Sequence, residues 1–217
     1  LTFNGTGGGW NINADITASA DVYVPTGTVM GTGDVTLSAG SFYGNGLVSM
    51  GGGTTTLETT NTLGGTQGWT FYDLTVGTGV VTGTTTPGST ATTTVLNVFT
   101  IGTGHFYDAG ASGLELSGSG TVFLEDGTFL EDTSTLRYSG IATTSILATN
   151  YYNLDLNASG GAPTYIATGI GISVANDLFV GGEASTIVDF DANDTVLNVD
   201  GDLIIQTAPN NFVFLEY

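Results

Sequence analysis

Apolar and polar positions alternate with a period of two in short runs along this chain. VTL at 35–37, FYDLTV at 71–76, LEL at 114–116, YYNLDL at 151–156 and VLNV at 196–199 follow the pattern, and Gly, Ser, Asn or Asp bounds each run. A period of two puts alternate side chains on opposite faces of an extended strand, and the bounding residues are those that turn a chain. No 3.6-residue helical period is present, and Gly interrupts nearly every ten-residue window. The pattern predicts many short strands with tight turns, an all-β protein.

A longer pattern overlies the short one. FYDLTVGTG from Phe71 is echoed by YYNLDLNASGG from Tyr151. Three more echoes fall at almost the same offset: VLNVFTIGTG (Val95) with VANDLFVGG (Val174), TTTLETT (Thr54) with TSTLRYS (Thr133), and LSAGS (Leu37) with LSGSG (Leu116). A weaker echo links FNGTGGGW (Phe3) with LGGTQGW (Leu63). The chain reads as copies of a unit of about 80 residues, at about 1–60 (partial), 61–139 and 140–217, with residues 78–94 as a Thr-rich insert. Two all-β architectures accommodate such a unit: tandem β-sandwich domains, or one continuous parallel β-helix (β-solenoid) over residues 1–217. The strands are short, only four Pro occur, and no Pro-Gly linker separates the copies, which favours the solenoid. At ~22 residues per coil it would have about ten coils and a length of roughly 45 to 50 Å.

Segments of the form YYNLDLNASGG, NDLFVGG and TVLNVDGDLIIQ resemble the repeats of long bacterial cell-surface proteins, similar to autotransporter passengers and filamentous adhesins. The resemblance covers the chain from about residue 54 onward and the first 53 more loosely. It implies a right-handed parallel β-helix, an extracellular location, and service as a stalk, fibre or adhesin.

Charge removes several functions. One Lys or Arg stands against 20 Asp and Glu, for a formal net charge of -19. Arg137 is the only fixed cation, so the chain cannot neutralise a nucleic-acid backbone or an anionic membrane surface. Without Lys it has no Schiff-base nitrogen; without Cys it has no disulfide or thiolate site. No apolar run reaches the ~20 residues of a membrane helix. Thr (39) and Gly (35) make up a third of the 217 residues, while mean hydropathy is +0.23. A folded core under a hydroxyl-rich surface is expected, not disorder.

Candidate chemistry is sparse. Asp189, Asp191 and Asn193 match the first half of an EF-hand-type calcium loop, but Asp194 stands where Gly is required and the bidentate Glu is missing. Glu125, Asp126, Glu131 and Asp132 frame a turn at Asp126 and Gly127; they read as a glycosidase-like carboxylate pair or as a solvated acidic edge. His105 has no nucleophile elbow with it and reads as structural. Arg137, between Leu136 and Tyr138, is expected to pair with a neighbouring carboxylate. Trp10, Trp69, Tyr72, Tyr151 and Tyr152 form either a sugar-stacking strip or a core stack, and the core is favoured. Asn4, Asn157 and Asn193 open N-glycosylation sequons.

Both ends of the chain are apolar and β-prone, and neither carries an evident cap. Leu1, Phe3, Phe212, Phe214 and Tyr217 are therefore expected at a junction between copies stacked end to end. The expectation is a non-enzymatic, self-assembling extracellular fibre subunit without a cofactor. A carbohydrate- or surface-binding adhesin stalk is the second reading, and a polysaccharide-degrading enzyme the third.

Overall fold

A computed structural model of the chain describes residues 1–158, 160–182, 185–207 and 213–216. The alternating runs form parallel strands, stacked as a β-solenoid of about 9 turns. Sandwich sheets are antiparallel, so the tandem-sandwich alternative falls. Ten strands form one long sheet: Gly9–Ile12, Thr28–Gly31, Leu47–Met50, Trp69–Phe71, Thr93–Val95, Gly113–Leu116, Thr135–Tyr138, Asn153–Ala158, Leu178–Gly182 and Leu203–Thr207. The shortest turn runs from Thr135 to its register partner Asn153, and the longest from Leu178 to Leu203. At ~4.8 Å per rung the stack is roughly 43 Å long.

The turn is three-sided, and two of its sides change midway. A second sheet of six strands runs from Ile16–Ala18 to Phe123–Glu125, and a third, also of six, from Val22–Tyr23 to Thr128–Leu130. A fourth sheet then begins at Gly120–Thr121 and a fifth at Asn150–Tyr151. Only the long sheet spans the changeover.

Parallel register turns the period of two into columns. One inward column of the long sheet runs through Trp10, Val29, Val48, Trp69, Thr93, Leu114, Leu136, Leu154, Leu178 and Leu203. A second runs through Ile12, Gly31, Met50, Phe71, Val95, Leu116, Tyr138, Leu156, Val180 and Ile205. Each interior Leu or Val in these columns is buried, which contributes about 1.5–3 kcal/mol per side chain. Gly31 interrupts its column at φ 143°, where a Cβ would collide with the backbone of Ile12. Outward on the second sheet, Thr17, Thr36, Thr56, Thr75 and Thr100 stack in register as a threonine ladder.

The long-range echo repeats a corner of the solenoid, not a set of whole turns. Around Phe71 the chain passes from the long sheet to the second; around Tyr151 it passes from the fifth to the long sheet. The hydrogen bonds are nonetheless the same. Asp73 Oδ1 accepts from Asn97 Nδ2 and Val98 N, at 2.8 and 2.9 Å. Asn153 Oδ1 accepts from Asn176 Nδ2 and Asp177 N, at 2.8 and 3.3 Å. Asn97 N donates to Tyr72 O as Asn176 N donates to Tyr152 O. In the first copy, the similar short runs DVYV (21–24), DVTL (34–37), GLVSM (46–50) and TTTLE (54–58) also fall on three different sheets. Within residues 78–94, Gly83–Pro87 is a strand of the third sheet and buries Thr85.

Two buried polar groups need partners. His105, fully buried, meets Thr85 Oγ1 through Nε2 at 2.9 Å, while its Nδ1 has no partner. At the changeover, Tyr138 and Tyr151 meet hydroxyl to hydroxyl at 3.1 Å. Tyr151 OH donates to Leu147 O, Tyr138 OH accepts from Leu147 N, and Tyr165 OH donates to Tyr138 O. These bonds tie the long sheet to the fourth and fifth where the earlier sheets end.

Burial gives both groups a pH signature. Desolvation pushes the Tyr138 phenol up to about 12, with Tyr107, Tyr151 and Tyr165 raised as well. A raised phenol favours the fold below its unfolded pKa of ~10, and that stability is lost as pH rises further. Alkaline absorbance titration is expected to leave these four tyrosines un-ionised until the protein unfolds, above roughly pH 10. Desolvation lowers the pKa of His105, so the unfolded chain takes its proton first and stability falls as pH drops below ~6.5. Melting curves should show the advantage of wild type over His105→Gln shrinking between about pH 7 and pH 5.

Candidate functional site

Among the described residues, the one salt bridge between side chains lies on the outer face of the long sheet. Register places the outward residues Thr70, Thr94, Glu115, Arg137, Asp155 and Phe179 in one column. Arg137 reaches the next rung, where Nε and Nη2 each lie 2.6 Å from Asp155 Oδ2. Glu115, on the preceding rung, accepts instead from Ser139 Oγ at 2.7 Å. Asn153 Nδ2 donates to Thr135 Oγ1 at 3.2 Å, so two side-chain contacts cross the shortest turn.

Asp155 is 8% exposed and its Oδ1 has no hydrogen-bond partner of acceptable geometry, though Asn157 lies near enough to favour the charged form. Burial raises its pKa; Arg137 opposes the rise without cancelling it, and Glu115 adds to it. Two shallow depressions flank the pair. One, of about 300 Å³, lies over Thr70, Thr92, Thr94 and Gly113; the other, of about 370 Å³, lies over Asn153, Asn157, Asn176 and Phe179. Both include Thr135 and Arg137, so they adjoin at these two side chains, a trough of two parts along the solenoid axis.

Two of the three residues expected to hold calcium make side-chain hydrogen bonds within the fold. Asp189 Oδ1 accepts from Ala192 N at 2.9 Å, and Asn193 Nδ2 donates to Ala167 O at 2.7 Å. Asp191 opens the 3-10 turn Asp191–Asn193 on the surface. Among the described residues no three acidic or histidine side chains cluster closely enough to hold a metal. Glu125 and Asp126 do bound a sharp coil corner, where Ile101 O accepts from both Asp126 N and Gly127 N at 2.9 Å. Glu125 is occupied by Phe129 N, at 2.8 Å. Asp132 stands beside Asp108 and, after burial, is the main reason that the Asp108 pKa rises.

The sequons differ in setting. Asn4 is exposed and accepts from Thr26 Oγ1, Asn157 lines the trough, and the Asn193 amide nitrogen is bonded as above. Of the aromatic set, Trp69 and Tyr151 are in the core as expected, Trp10 and Tyr152 are half-buried, and Tyr72 is exposed. Trp10 takes an inward position on the first rung with Phe3 packed on it at 5.7 Å, an aromatic lid where no cap was expected. Leu1 is exposed, and its ammonium donates to Asp21 O at 2.8 Å. Phe214 lies in the strand Val213–Glu216, in register with Ile187; Phe212 and Tyr217 lie outside the described residues.

Compared with known protein families, curated proteins and solved structures, the chain matches none.

The ion pair makes a measurable claim. Arg137→Met leaves the Asp155 carboxylate buried and uncompensated. Because Arg137 is partly exposed, the expected loss is about 1–2 kcal/mol at neutral pH, less than for a fully buried pair. Protonating Asp155 relieves the strain, so the deficit should narrow in mild acid, and Arg137→Met/Asp155→Leu should recover most of it. Denaturant titrations at neutral and mildly acidic pH check both points.

Proposed function

We propose that this chain is a structural segment of an extracellular fibre or surface layer, built from β-solenoid rungs stacked end to end. The observation that carries the reading is the unbroken ten-stranded parallel sheet. A stack of rungs holds its two ends roughly 43 Å apart and transmits load through backbone hydrogen bonds along its axis. Composition supports an extracellular setting, because a chain with one Arg and no Lys offers almost nothing to trypsin-like proteases. Among the described residues no helix is long and apolar enough to cross a membrane.

The last rung of the long sheet supports end-to-end growth. Leu203 and Ile205 occupy the inward columns above Leu178 and Val180, yet they are 45% and 51% exposed where the residues beneath them are buried. Among the described residues no strand pairs beyond Leu203–Thr207, and an exposed inward column there is a template for one more parallel rung. We assign that rung to a second copy of the chain. Electron microscopy of the purified protein is expected to show filaments with an axial repeat of roughly 45 to 55 Å. Leu203→Glu/Ile205→Glu should reduce them to short rods. Dispersed rods from the unaltered chain would overturn self-assembly.

A further inference from the structure

We propose that the trough centred on Arg137 and Asp155 binds a neutral, linear polysaccharide lying along the solenoid axis. The site is on the side of the rod, so it stands or falls apart from the stacking of rod ends. Three features of the trough define its ligand.

The first is an acceptor without a well-formed bond. Arg137 uses both of its close nitrogens on Asp155 Oδ2, and the buried Oδ1 has only the Asn157 amide beside it, without a hydrogen bond of good geometry. Leaving a buried acceptor without a well-formed bond is unfavourable. Arg137 itself remains 44% exposed and keeps N–H groups free to donate outward. A vicinal diol accepts from the guanidinium with one hydroxyl and lays the other beside the Asp155 carboxylate.

The second is the lining. Thr70, Thr94 and Thr135 present hydroxyls that both donate and accept, and Asn157 and Asn176 present amides. Phe179 follows Asp155 in the outward column and is half-buried, so an apolar ring stands one rung from the charged pair. Hydroxyls beside a ring face match the edge and the C–H face of a pyranose. The trough crosses successive rungs, each rising about as far as one sugar unit extends, so the polymer runs parallel to the stack.

The third is exclusion. A net charge of -19 repels polyanions. An extended peptide recognises a sheet by joining its edge, whereas this trough lies on the face, where the backbone groups are already paired along the ladder.

Native electrophoresis through gels containing dextran, xylan, galactomannan or mixed-linkage β-glucan tests the proposal, with alginate as the anionic comparison. At least one neutral polymer is expected to retard the protein, and alginate is not. Thr94→Tyr fills the trough without touching the ion pair and should abolish the retardation. Phe179→Ala should weaken it five- to tenfold, with Thr70→Tyr as a second blocking variant if Thr94→Tyr fails to melt cooperatively. No retardation by any of the four neutral polymers would overturn the site. So would retardation that both trough variants leave unchanged, or a preference for alginate.

Discussion

Each turn of this chain must give its backbone N–H groups to an adjacent turn, at the corners as well as along the strands, and most of the molecule follows from that constraint. Strand ladders satisfy themselves. Corners do not, because the chain changes direction there and the geometry of the ladder breaks. The chain meets the need with short acceptor side chains that reach one rung along. Asp15 takes the N–H of Asp34, Asp34 that of Thr54, Asp21 that of Ser41, and Asp177 that of Asp202. Ser41 does the same for Thr62 with a hydroxyl. Many of the carboxylates behind the large negative charge are therefore part of the scaffold. Backbone N–H groups rather than cations occupy these oxygens, which is how the fold tolerates a single arginine.

Because contacts run mainly between neighbouring rungs, each rung can solve its packing locally. Trp69 and Thr93 are consecutive members of one inward column although they differ greatly in volume. The space beside them is shared with Phe42, which packs edge-on against Trp69 at 4.9 Å, and the Trp69 indole N–H is satisfied by Gly46 O. Local freedom also permits the changeover near residue 120. Two sheets end and two begin, and the long sheet carries the interior columns across with no break in register.

Strand content, parallel stacking and the alternation of faces within the quoted runs were legible in the sequence, since alternation reports which face of a strand is buried. Which side of the turn a strand occupies was not legible. Alternation is blind to it, and the corner motif around Asp73 or Asn153 makes the same bonds wherever a corner is needed. That is why the echo between Phe71 and Tyr151 joins corners on different sides of the turn. The aromatics show the same limit. Tyr72 and Tyr152 recur because a corner recurs, and a corner residue faces solvent or half-faces it; Phe71 and Tyr151, one position earlier, end strands and are buried. Arg137 was legible as one half of an ion pair, but Asp155 was not legible as the other. The partner is set by register across the shortest turn, and YYNLDL marks Asp155 only as an outward residue.

The location of the only cation argues about its purpose. Arg137 and Asp155 bridge the shortest turn in the long sheet, next to the changeover, with Asn153 and Thr135 bonded alongside them. A clamp across an abrupt change of cross-section explains why a charge pair is there. It does not explain why one carboxylate oxygen is buried with no hydrogen bond of good geometry while Ser139 satisfies the neighbouring Glu115. Asn97 likewise bonds Asp73, whereas Asn157 stands beside Asp155 without a well-formed bond. A clamp serving stability alone would be better built with that acceptor filled from within.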